Sequence, residues 1–123
     1  MTRLTEVSFG EARPVDGYGP GHWRVGGQVI EGACLATATG ARAWGGLDDL
    51  DPLLALAGTV DVLFVGTGRH VVHLPESFRD RLEAAGIAAE AMDSPAAART
   101  YNVLLSEGRR VAAALLTVGP AGG

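Results

Sequence analysis

Residues that could bind a ligand or take part in chemistry cluster at two places in the second half of the chain. The run Gly66-Thr67-Gly68-Arg69-His70 directly follows an apolar segment, and Asp93 precedes a stretch that carries Arg99 and Asn102. Glycines that follow a strand can expose backbone N–H groups, and a nearby arginine could pair with an anion bound there. The same glycines also suit a tight exit from a strand, so both interpretations stay open.

Other chemistries find little support in the sequence. The glycine run resembles the start of a dinucleotide fingerprint, but valine stands at position 71 where the third glycine belongs, and Pro75 prevents an immediate helix. All ten basic residues are arginine, so side-chain Schiff bases and P-loops are excluded. His70 and His73 would point to opposite faces of an extended segment, which disfavours a metal site. The one cysteine, Cys34, lies in an apolar segment and is expected to be a buried, inert thiol.

A polar stripe is predicted on the last helix. Arg99, Asn102 and Ser106 recur at helical spacing, i, i+3 and i+7. Such a stripe is usually a solvated helix face, but it could also dock a protein partner or form one wall of a pocket shared with the glycine run. Asp93 could act as a general base, yet no second acid is placed with it. The sequence therefore favours a binding domain over an enzyme, with no cofactor.

Composition narrows the class of partner and the compartment. The formal net charge is −4 and the charges are interspersed, so nucleic acid is not an expected partner. No run approaches the roughly 18 apolar residues that a membrane span needs, and no signal-peptide pattern is present. We therefore expect a cytoplasmic chain that is not embedded in a membrane and binds protein partners or a small anion.

The elements that must position these residues follow from glycine punctuation and apolar periodicity. The first half predicts a β-meander and the second half predicts alternating strands and helices. The predicted meander strands are His22–Val25, 28–37 and 41–44, with Gly26-Gly27 as a hairpin turn. A short helix capped by Asp51 follows and is expected to bury Leu53, Leu54 and Ala57. The remaining predicted elements are strand 60–65, helix 76–85, strand 87–92, a helix capped by Ser94-Pro95 and ending at Gly108, and strand 110–117.

The predicted architecture is one α/β domain over residues 1–123, an N-terminal β-meander joined to a βαβαβ core. In such sheets ligands favour the carboxyl ends of parallel strands, where both the 66–70 run and Asp93 would lie. Arg109 and Arg110 would lie at the opposite end, where they complement a helix dipole or pair with acidic residues such as Glu107 or with a partner. Residues 118–123 are expected to be a disordered tail.

Four blocks of the sequence follow the order of blocks in a known family. They are Gly32-Ala33-Cys34-Leu35 followed by Trp44, the run 63–68, Met92-Asp93 leading into residues 99–104, and the closing segment 107–115. Together they resemble the Mth938-like domain family, which includes mitochondrial complex I assembly factor 3 and an adipogenesis-associated vertebrate protein. The resemblance covers residues 7 to 117.

The resemblance implies a small α/β domain with a central mixed sheet flanked by helices and no established enzymatic activity. It also implies protein partners, because the mitochondrial branch acts as an assembly factor. Some relatives carry a cysteine before the arginine of the 99–104 block; here that residue is Ala98, so a thiol role does not carry over. A mitochondrial targeting segment is missing, which predicts a prokaryotic, cytoplasmic relative.

Overall fold

The computed structural model describes residues 12–119, which form eight strands and three helices. In chain order these are β1 Val15–Gly19, β2 His22–Val25, β3 Gln28–Glu31, β4 Cys34–Thr37, β5 Gly40–Ala43, α1 Asp51–Leu54, β6 Val62–Gly66, α2 Glu76–Ala84, β7 Ala88–Met92, α3 Ser94–Ser106 and β8 Val111–Leu115.

The strands form two sheets. Strands β1, β2 and β3 pair as an antiparallel meander, and the other five form a sheet in the order β5-β4-β8-β6-β7. In the larger sheet β6 pairs parallel with both β7 and β8, whereas β4 pairs antiparallel with β5 and β8. The predicted meander and βαβαβ core are thus confirmed. The larger sheet is mixed because β4 and β5 join its parallel strands β6, β7 and β8 in antiparallel pairing.

The strand predicted over residues 28–37 is wrong as one element. The chain leaves the meander at Glu31, turns at Gly32 with φ of +80°, and enters the larger sheet at Cys34. A positive φ suits glycine because it has no Cβ to clash with the backbone. The two halves therefore pair in different sheets, Glu31 with His22 and Cys34 with Leu115. Strand β1 was not predicted.

The central strand β8 separates two apolar clusters. All five of its residues are buried, and the middle three are alanines, whose small side chains let the layers on both faces approach closely. One cluster lies between the sheet, the meander and α3, and includes the fully buried Trp23 and Tyr101. The other lies between the sheet, α1 and α2, and includes the buried Phe78 and Leu82. The molecule therefore has three layers with the mixed sheet in the middle.

Two helix starts differ from the predictions. The N-cap of α1 is Leu50, not Asp51, and it makes no side-chain hydrogen bond; this helix is a single turn, so Ala57 lies beyond it and is exposed. The N-cap of α3 is Asp93 instead of Ser94. Serine and aspartate are both common caps; here the Asp93 carboxylate caps the helix, and the Ser94 hydroxyl bonds Gly68 and Leu116.

The C-terminal end of the described chain is partly packed. Val118 packs against the cluster under α3, and residues 120–123 of the expected tail lie outside the described residues. Within residues 12–119, no helix combines the length and the apolar character needed to cross a bilayer.

Candidate functional site

The glycine run after β6 and the start of α3 are in direct contact. The Ser94 backbone N–H donates to the Gly68 carbonyl at 2.8 Å, and the Gly68 N–H donates to Ser94 Oγ at 2.8 Å. The hydroxyl of Ser94 donates in turn to the carbonyl of Leu116 at 2.7 Å. Ser94 is the one fully buried polar residue within residues 12–119, and it joins the ends of β6 and β8 to the helix.

Gly66 is required by the close approach of α3 to β6. A Cβ at this position would lie 2.6 Å from Ser94 Oγ, 2.8 Å from Ser94 Cα and 2.9 Å from Leu115 Cδ2. Such distances are below van der Waals contact, and one of them involves backbone that cannot rotate away. The glycine therefore permits the helix to sit against the strand end.

The backbone N–H groups of the glycine run are already used within the chain. Thr67 N–H donates to the Met92 carbonyl at 2.9 Å, and Gly68 N–H donates to the serine hydroxyl. The Thr67 hydroxyl donates to the His70 carbonyl at 2.7 Å and accepts from the Val72 N–H at 3.1 Å. These two N–H groups have partners within the chain in this arrangement, which favours the interpretation of the run as a tight strand exit. Arg69 and His70 are exposed.

Asp93 acts as a helix cap. Its Oδ1 accepts from the Ala96 N–H at 2.8 Å, which satisfies one of the free donors at the start of α3. A carboxylate here is also favoured by the helix dipole. This contact explains the residue structurally, and it orients the carboxylate toward the helix instead of toward a reacting group.

Asn102 connects α3 to the meander and is not part of a solvated stripe. Its Nδ2 donates to the Val15 carbonyl and its Oδ1 accepts from the Val15 N–H, both at 2.8 Å. The neighbouring Tyr101 hydroxyl donates to the Arg13 carbonyl at 2.9 Å. Of the predicted stripe, Ser106 bonds the carbonyl of its own helix at Val103, and only Arg99 presents an exposed side chain.

A depression beside Arg99 is formed jointly by α3 and β1. Its volume is about 320 Å³, and its lining includes Tyr18, Arg99 and Asn102. Tyr18 is half exposed at 49%, and its ring centroid lies 5.0 Å from that of the buried Trp23. Sequence reasoning missed this neighbour of Arg99 because residues 15–19 include two glycines and show no apolar alternation, so no strand signal was present.

The thiol prediction is confirmed. Cys34 is fully buried on β4, and burial raises the pKa of its thiol to about 12, so almost no thiolate forms at neutral pH. Burial also raises the pKa of Tyr101, with a smaller contribution from Cys34. Among residues 12–119, no three His, Cys, Asp or Glu side chains are grouped so that they could hold a metal ion.

Arg110 forms an ion pair at the opposite end of the sheet. Its Nη2 and Nε donate to the two Asp61 carboxylate oxygens at 2.7 and 3.1 Å, and its Nη1 donates to the Gly58 carbonyl at 3.0 Å. This hydrogen bonding, with smaller Coulombic contributions from Arg110 and Arg109, holds the pKa of Asp61 below its usual value. Of the two arginines, the one adjoining β8 thus pairs with an acidic residue, and its partner is Asp61 instead of Glu107.

These layers, with a mixed sheet between α3 and the meander on one side and α1 and α2 on the other, define a Mth938-like α/β domain. A solution structure of a Bordetella pertussis protein described as a Mth938-like domain superimposes with a TM-score of 0.77 at 31% identity, covering 98% of this chain and 94% of that one. Residues 15–116 match the family described as "Protein of unknown function (DUF498/DUF598)". The chain belongs to this family, as the sequence blocks indicated.

Two relatives show how the family extends. An uncharacterised protein of Rhodobacter capsulatus is 54% identical over 111 residues, which cover 90% of each chain. The zebrafish protein NADH dehydrogenase (ubiquinone) 1 alpha subcomplex assembly factor 3 is 31% identical over 112 residues, covering 85% of this chain and 64% of that protein. The chain thus spans just under two thirds of the length of that assembly factor.

Proposed function

We propose that this chain is a non-catalytic, cytoplasmic module that binds protein partners and acts as an assembly factor for a respiratory complex or another membrane-protein assembly. The observation that carries the proposal is the 31% identity to an assembly factor of NADH dehydrogenase over most of this chain. This identity relates the domain shared by the two proteins, and the experiments below test which partners this chain binds.

The use of reactive groups supports a binding role over catalysis. Cys34 is buried and protonated, Asp93 caps a helix, and the Thr67 hydroxyl holds its own loop. Catalysis needs a nucleophile or base that can reach a substrate with a matched pKa. These three groups are committed to the fold instead.

The proposed docking surface lies around the N-terminal half of α3. Gly66, Thr67, Gly68, Asp93 and Asn102 hold the backbone in place, and the exposed side chains of Arg69, His70 and Arg99 are the ones that would meet a partner.

Two features extend this surface. Val71 and Val72 follow the loop and are 59% and 50% exposed, which provides apolar contact area beside the cationic Arg69. Arg99 lies five residues after Ser94, about 7.5 Å along the helix from the residue that contacts the loop. A partner of ordinary interface size, about 800 Å² on each side, would cover both segments.

The test is recovery of partners with the tagged chain from cytosol and membrane fractions of its own cells, followed by mass spectrometry. Wild type should recover subunits of a respiratory complex or of membrane-protein biogenesis, and Arg99→Glu and Val72→Glu should recover less. Arg24→Glu is the matched control, because Arg24 is exposed on β2 within the meander and outside the surface. Equal recovery by all four proteins would show that the surface is wrong.

Deletion of the gene supplies a second readout. NADH–ubiquinone oxidoreductase activity of the membranes should fall, and the wild-type gene should restore it. Unchanged activity together with a tagged chain that elutes alone would overturn the assembly role itself.

A further inference from the structure

A groove opens at the end of the sheet where β6 and β8 begin, opposite the glycine run. It consists of two adjoining depressions of about 380 and 350 Å³, which share Thr37, Thr39 and Leu56 in their linings. One lies against the C-terminal end of α3 and the other lies between β5 and α1. Cavities of a few hundred Å³ are the size at which proteins bind small ligands.

The walls of the groove are largely apolar. Leu105, Val60 and Val111 line the first depression, and Leu35 and Pro52 line the second. Leu56 lines both depressions and is only partly buried, so the two share its apolar surface. An alkyl chain placed along this surface would leave water for apolar contact.

The polar groups in the lining are arginines and threonines, without an acidic side chain. Arg109 lies in the first depression and Arg42 in the second. Arg110 is fixed by Asp61, which neutralises its charge. Within residues 12–119, Arg109 and Arg42 make no ion pair. Within the described residues Arg109 and Arg42 thus lie outside the Arg110–Asp61 ion pair and add positive charge beside the apolar walls, with Asp61 acting on Arg109 only through a smaller Coulombic contribution.

We propose that this groove binds an amphipathic carboxylate, with the carboxylate at Arg109 and the alkyl chain passing over Leu56 toward Leu35. Charge complementarity selects an anion, and the apolar walls select one that carries an aliphatic chain. Thr37 and Thr39 line both depressions, and their hydroxyls carry no charge. This site is separate from the proposed docking surface, so either proposal can fail without the other.

A chain-length series tests the apolar part of the proposal. Hexanoate, octanoate, decanoate and dodecanoate, each below its micelle-forming concentration, are titrated into the full chain by calorimetry and by thermal melting. Each methylene that enters the groove should tighten binding about fourfold, and the melting temperature should rise accordingly. The alcohol of the same length should bind more weakly and without the same dependence on salt. No gain in affinity between hexanoate and dodecanoate, or equal binding of dodecanol and dodecanoate, would overturn the proposal.

Two variants test the location. Arg109→Gln should weaken dodecanoate binding about fivefold, as expected for a solvent-exposed ion pair. Thr39→Trp should block the junction of the depressions from an exposed turn position, with the melting temperature of the free protein showing that the variant is folded. Arg24→Gln, an exposed arginine on the meander, should bind like wild type. Binding that is unchanged in both Arg109→Gln and Thr39→Trp would place the ligand elsewhere and refute the groove.

Discussion

Replacing Ser94 with alanine removes a single hydroxyl group, yet it should destabilise this domain strongly. The Ser94 hydroxyl accepts from Gly68 N–H at 2.8 Å and donates to the Leu116 carbonyl at 2.7 Å, and the residue is fully buried. Alanine removes both bonds and leaves a buried N–H and a carbonyl without partners. Two hydrogen bonds contribute about 1 kcal/mol each, and groups left unsatisfied raise the cost, so we expect a loss of about 2–4 kcal/mol.

Ser106→Ala is the matched control on the same helix. Its hydroxyl bonds only the Val103 carbonyl of its own helix and the residue is half-buried, so the free energy of unfolding should change by less than about 0.5 kcal/mol. Urea unfolding of the three proteins, followed by circular dichroism, measures both effects. Ser94→Ala should melt about 10 °C below wild type. If the two alanine variants unfold within about 0.5 kcal/mol of each other, the assignment of Ser94 as the junction of three elements is wrong.

Three further predictions test other parts of the fold. Gly66→Ala should cost about 2–3 kcal/mol in urea unfolding because its Cβ would meet backbone at 2.8 Å, whereas Gly17→Ala, whose Cβ meets nothing within 4 Å, should cost almost nothing; similar costs would contradict the close packing. Asn102→Ala removes both hydrogen bonds to Val15, so the free energy of unfolding should fall by about 2 kcal/mol and amide hydrogen exchange should speed up more in β1 than in β6. Unchanged exchange in β1 would show that the Asn102 side chain does not hold β1 against α3. Burial raises the pKa of the Cys34 thiol from 9.0 to about 12, so its contribution to stability is present below pH 9 and is lost as the pH rises. Between pH 7 and pH 10 the free energy of unfolding should therefore fall by about 1.4 kcal/mol more in wild type than in Cys34→Ala. Parallel curves of unfolding free energy against pH would argue against a buried thiol.

Local signals were sufficient for much of the fold. Gly26-Gly27 forms the two-residue turn that joins β2 to β3, where Val25 pairs with Gln28. Helical spacing found α2 and α3, because their apolar faces repeat every three to four residues. These features depend on neighbours in sequence, which is why the residues alone could indicate them.

The elements that were missed depend on partners distant in sequence. Nothing local in residues 28–37 shows that Cys34 must pair with Leu115, so the break at Gly32 could not be predicted from the run itself. Asn102 looked like part of a solvated stripe because its partner, Val15, is 87 residues away in a strand that has no sequence signal. The candidate site was predicted least well, because hydrogen bonds to residues distant in sequence determine the roles of its polar groups, as for Ser94 and Asn102.

The distance along the chain between Val15 and Asn102 also governs when the domain can fold during synthesis. Ribosomes add about 5–20 residues per second, so the 87 residues between the two partners take about 4 to 17 s to make. Over that interval the meander has neither α3 nor the central strand β8 to cover its apolar side, because both are made near the end of the described chain. Trp23, completely buried in the folded domain, is among the side chains that must wait. The apolar side of the meander therefore stays without its native cover until α3 and β8 have been made, so the domain can fold as a unit only after β8 has been synthesised.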